Sequence, residues 1–155
     1  MAKVEFVFDP FEVAGVDKPD ISKAKRDQIL RDVADYVLES VLSDVGDSRS
    51  PVTGKQFKKL DKDYATEKKR EGGTPVPNLL MQGDLLDSLL VKKKGEKLIL
   101  TVGDSQQDKA DGHNNHTGDS QLPRRPFIPD ADESETFRPA IRQGIREIIN
   151  DVLEG

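Results

Sequence analysis

The stretch that most restricts how this chain can fold is residues 113–130, HNNHTGDSQLPRRPFIPD. Pro123 and Pro126 fix φ and remove two backbone donors, so the segment is neither helix interior nor central strand. Phe127 and Ile128 follow directly, are apolar, and favour burial. The result is a stiff, extended segment that plants two apolar side chains and carries Arg124 and Arg125 beside them. Such a segment suits docking better than catalysis. Pro123, Arg124, Arg125, Pro126, Phe127 and Ile128 are the docking residues expected from it.

A chain of 155 residues is expected to form a single domain, 1–155. Only 34% of the residues are hydrophobic, another 34% are charged, and there is no Trp. That is a thin core for the length. Either part of the chain is loop, or a second subunit finishes the burial. The net charge of -5 argues against a general nucleic-acid binder but allows a local basic patch. With no cysteine there is no disulfide framework and no thiolate chemistry. No apolar run approaches the ~20 residues of a membrane span. The start, MAKVEFVFDPF, lacks the apolar core of a signal peptide, so cytosolic synthesis without a membrane is expected.

Val4, Phe6 and Phe8 alternate with Lys3, Glu5 and Val7, the pattern of a half-buried strand at a sheet edge. Asp9-Pro10 ends it, and a loop is expected through Gly15 and Pro19. Asp20 is the expected cap of a long amphipathic helix. Its stripe is Ala24, Leu30, Val33, Ala34, Val37, Leu38, Val41 and Val45, and it ends at Gly46. Lys23, Arg26, Arg31, Asp32, Asp35 and Glu39 form a solvated face. After the turn cluster DSRSP, residues Phe57, Leu60 and Tyr64 mark a weaker helix. A loop, GGTPVP, follows at 72–77. Asp84 can cap a short turn carrying Leu85, Leu86 and Leu89. Residues 88–93 and 97–103 read as a hairpin. A polar loop runs over 104–118. Asp130, Asp132, Glu133 and Glu135 then form an acidic lead-in to a last helix, where the helix dipole favours negative charge. Its stripe is Phe137, Ile141, Ile145, Ile148, Ile149, Val152 and Leu153, with Pro139 in the first turn. The expected class is α+β: a small, mainly antiparallel sheet packed against a long N-terminal helix and a C-terminal helix, with long loops.

Residues bearing chemistry are sparse. Asp108, Asp111, His113 and His116 supply metal-ligand types, the basis of a metal-dependent hydrolase as a third reading. The three-residue His spacing is not a metalloprotease helix motif, and no Glu stands between the two. There is no nucleophile elbow, no dinucleotide fingerprint and no Walker loop. The 55–70 segment carries Lys55, Lys58, Lys59, Lys62, Lys68, Lys69 and Arg70, interleaved with Asp61, Asp63, Glu67 and Glu71. Mixed signs along a helix read as a paired, solvated face. The alternative is a nucleic-acid-binding module in which Lys55, Lys58, Lys59 and Lys62 face DNA.

Several stretches taken together resemble one family. They are SPVTGKQFKKLDKDYATEKK, NLLMQGDLLDSL, KLILTVG, HNNHTGDSQLPRRPFIPD and the C-terminal amphipathic helix. Their order and content are similar to the virion morphogenesis, or tail completion, proteins of tailed bacteriophages: the Mu-like family and its head–tail joining relatives. In that family a Ser-Pro-x-Thr turn precedes a Lys-rich helix, as Ser50, Pro51 and Thr53 do here. A Leu-x-x-x-Gly-x-Leu segment is matched by Leu79, Gly83 and Leu85. The His–Gly…Pro-x-Arg-Pro-Phe segment is matched by His113 or His116, Gly118, Pro123, Arg125, Pro126 and Phe127. The resemblance implies a structural subunit that forms a homo-oligomeric, hexameric ring in the virion, at the neck or the head-proximal tail end. It implies neck, connector and tail proteins as partners, genomic DNA in the ring lumen, no enzymatic activity and no cofactor.

Overall fold

The computed structural model describes residues 4–56, 87–103, 127–130 and 134–155. Strand β1, Glu5–Phe8, buries Phe6 and Phe8 and turns Glu5 and Val7 outward, as its alternation predicts. A short helix α1, Pro10–Ala14, stands where a loop is expected. Both its ends are capped. Asp9 accepts the Phe11 N–H at 3.0 Å, Pro10 occupies the first turn, and Gly15 closes it at φ 68°. Five residues are too few for helical periodicity to show, so only the caps betray it.

Helix α2, Lys23–Gly46, begins two residues later than expected. Ser22, not Asp20, is the cap, because its Oγ reaches the Lys25 N–H at 3.2 Å. Ile29, Leu30, Val33, Val37, Val41 and Val45 are buried, while Ala24 is exposed. Strands β2, Leu90–Lys94, and β3, Lys97–Thr101, form the expected hairpin with trimmed ends. Gly95, at φ 62°, supplies the positive φ that a two-residue turn requires. Helix α3, Pro139–Glu154, starts at the predicted proline and buries Ile141, Ile145, Ile149 and Val152.

Neither described member of the acidic lead-in, Asp130 or Glu135, caps α3. Arg138 stands at the cap position and its side chain makes no capping hydrogen bond to the helix, and the first turn carries no acid. Instead Glu135 closes a loop upstream, its carboxylate accepting the Asp130 N–H at 3.1 Å and its own N–H donating to the Asp130 carbonyl at 2.9 Å. The Pro139 ring sets the helix start, which leaves Glu135 too early to reach it.

The three strands form an antiparallel sheet in the order β1-β3-β2, so β1 is at an edge, as predicted. The fold is α+β. Phe6 pairs with Leu100 and Phe8 with Leu98 across β1 and β3. These four side chains face the helices and join one hydrophobic cluster with α1, α2 and α3. Phe137 sits edge-on to Phe6 and Phe8, with centroids 5.4 and 5.3 Å away. Helix α2 packs on both α3 and the hairpin, and α1 packs on α3. Along the α2–α3 seam the Tyr36 ring lies directly over Gly144, where no Cβ would fit. The helix expected over 57–70, the loops at 72–77 and 104–118, and the Gly83–Asp84 turn lie outside the described residues, as do Asp132 and Glu133.

Candidate docking site

The expected docking segment is divided by the structure. Phe127 and Ile128 are 0% exposed and belong to this chain's own core. Phe127 and Ile128, expected among the docking residues, are therefore buried in this chain and not presented on its surface. Full burial of such side chains contributes roughly 1.5–3 kcal/mol each to folding, and here the intrachain core takes that contribution. Pro123, Arg124, Arg125 and Pro126 lie outside the described residues. In sequence the two arginines are separated from this buried pair by Pro126 alone.

The Ser50–Lys55 region is a closed turn. Ser50 is 1% exposed, and its Oγ accepts the N–H groups of Val52 and Thr53, both at 3.1 Å. Its carbonyl accepts the Gly54 N–H at 2.9 Å, and its N–H donates to the Lys55 carbonyl at 2.9 Å. Gly54 sits at φ 76° against the Arg138 side chain. Lys55 is exposed at the exit of this turn, whereas Lys58, Lys59 and Lys62 lie outside the described residues.

A residue pair that the sequence reading missed holds the turn in place. The Arg138 backbone N–H donates to the Pro51 carbonyl at 2.8 Å. The Arg138 guanidinium donates to Asp44 through Nε at 2.7 Å and through a terminal NH2 at 3.0 Å. Such a fork-to-carboxylate pair fixes orientation as well as distance. The Asp44 hydrogen bond pushes the Arg138 guanidinium further up, against a smaller opposing effect of burial, so it stays charged. Asp44 also accepts the Arg49 N–H on its backbone carbonyl at 2.8 Å. One signal was legible: Asp44 falls three residues after Val41, inside the buried stripe of α2. A carboxylate there needs a cation.

Asp108, Asp111, His113 and His116 lie outside the described residues. Among the described residues no group of three or more His, Asp or Glu side chains is placed to hold a metal. No described helix is long and apolar enough to cross a membrane.

At the hairpin turn, Glu96 accepts from Lys18 Nζ at 2.9 Å and from Arg26 at 2.8 Å, and Lys93 Nζ donates to Asp27 at 2.8 Å. The Lys18 bond, and next the Arg26 charge, hold the Glu96 carboxyl below its usual range. The Lys93 bond does the same for Asp27. Both contacts clip the outer end of the sheet to the start of α2. No protein-family model, curated protein or solved structure matches this chain.

Proposed function

We propose that this chain is a structural virion subunit of a tailed phage. It forms a ring at the head–tail junction, as a tail completion, tail terminator or neck component, and is needed to join tail to head. The observation that carries the reading is the Ser50-Pro51-Val52-Thr53 turn. The family resemblance expects this motif ahead of a Lys-rich segment, and the turn is a closed unit anchored through Pro51 to Arg138 with Lys55 exposed at its exit. The buried Phe127–Ile128 pair supports it too, because only Pro126 stands between it and the Arg124–Arg125 pair in sequence.

The reading assigns no catalytic step and no cofactor. Its partners are further copies of the chain and the neighbouring neck, connector and tail proteins. Electron microscopy of particles made with this gene disabled tests it. Filled heads beside free tails are expected, and tails of abnormal length would assign the terminator layer. Normal, infectious particles would overturn the reading. At the residue level, Arg125→Glu is expected to leave the monomer folded and abolish joining.

A further inference from the structure

The outer face of the sheet is basic in an acidic protein. Phe6, Phe8, Leu98 and Leu100 face the helices, so the alternate residues face away. Lys94 pairs directly with Lys97 across the hairpin, and Lys92 lies two residues along on the same face. All three are exposed, and Val7, 36% exposed, lies on that face opposite Ile99. No described carboxylate pairs with Lys92, Lys94 or Lys97, whereas Lys18, Arg26 and Lys93 around them are all paired. Glu5 lies on this face at its far end from the turn, and Asp9, Glu12 and Glu135 border the depression that Lys97 and Val7 line. Like charges directly opposite one another destabilise a strand pair.

The opposite side of the molecule has the complementary charge. Helices α2 and α3 run antiparallel, since Arg138 meets Asp44 at one end while Val152 lies beside Lys25 and Gln28 at the other. The groove between them has a volume of about 480 Å³ and is lined by Asp32 and Asp151 around Ile148, with Lys25 as the one cation among the described lining residues. Asp35 and Glu39 continue the Asp32 stripe along α2, and Glu147 and Glu154 continue the Asp151 stripe along α3, all exposed.

We infer that the lysine face of one copy docks onto the acidic α2–α3 groove of the next, making a head-to-tail contact between identical chains. The inference rests on the ring reading and supplies it with an interface. Charge complementarity chooses the occupant: the lysine row is too short and the chain too acidic for a nucleic-acid surface. The two patches lie on opposite sides of a two-layer molecule, so the contact is heterologous and repeats into a ring or a string. Val7 and Ile148 supply apolar contact inside charged surroundings.

Sedimentation of the full chain at low and high salt tests this. The wild type is expected to self-associate, more tightly at low salt. Lys94→Glu with Lys97→Glu should weaken association about tenfold or more, as should Asp35→Lys with Asp151→Lys. Mixing the two reversed chains should restore association, because each reversed patch then meets its complement. The chain has no cysteine, so Lys94→Cys and Asp35→Cys give a second measurement that needs no charge reversal. When the two are mixed and oxidised, the mixed disulfide should exceed both self-pairs. A wild type that is monomeric at every concentration overturns the inference. So do reversed chains that associate like the wild type, equal disulfide yields, or lysine variants that lose DNA binding while associating normally. If association survives charge reversal while particles lacking the protein still fail to join, the contact falls and the virion reading stands.

Discussion

Arg138 donates from its backbone and its side chain at once. The N–H holds Pro51 of the turn, and the guanidinium holds Asp44 of α2. Asp44 is 6% exposed, so truncating its partner leaves a carboxylate in poor contact with water. Breaking a buried pair from one side costs about 3–5 kcal/mol. The Arg138 side chain is 22% exposed, so solvent relieves part of that and the lower end applies. Arg138→Ala is expected to lose about 3 kcal/mol in urea denaturation. Asp44→Asn should lose less, because the amide oxygen still accepts one of the two bonds. An unchanged midpoint for Arg138→Ala would show that the turn is held by other contacts.

The two long helices meet through a contact that depends on a missing side chain. Gly144 carries the Tyr36 ring, and a methyl there would overlap the phenol oxygen and two ring carbons. Alanine improves helix propensity over glycine by about 1 kcal/mol. Overpacking costs about 1–3 kcal/mol, and three overlapping atoms at once put this site toward the upper end. Gly144→Ala should therefore lower the thermal midpoint despite its better propensity. In a Tyr36→Ala background the same change should become neutral or stabilising. Additive effects in that double-mutant cycle would mean that the ring swings aside freely.

At the scale of the molecule, the described residues form two layers on one apolar cluster, clipped at the periphery by Glu96 and Asp27. Both carboxyls lie below their usual range in the folded state. Their contribution is complete above the unfolded-state carboxyl range and is lost as pH falls through the folded values. Lys18 is shifted the other way, up, chiefly by its Glu96 bond, so its share persists until strongly alkaline pH. These groups are solvent-exposed, so the effect on global stability is small and screened by salt. The readout is local: amide protection in β2 and β3, corrected for intrinsic exchange, should fall at pH below the usual carboxyl range, or in high salt, before protection in α3 does. A simultaneous fall in α3 would show that the clip carries more of the fold than its exposure implies.

The apolar periods were enough to locate β1, α2, the hairpin and α3, because each buries one side and the spacing of apolar residues reports which. Gly15 and Asp9 carried the signal for α1, but five residues are too short for a period. The sequence also placed Phe127 and Ile128 in a hydrophobic environment, and burial bears that out. Whose core they enter was decided by tertiary structure, since an apolar side chain reads the same against its own chain or another. The Asp44–Arg138 pair spans 94 positions, and no local spacing predicts a partner that distant. The lysine row has the same origin: Lys92, Lys94 and Lys97 share a face only once the two-residue turn at Gly95 sets the strand register, and only the packing of α2 and α3 on the other face leaves that row outward.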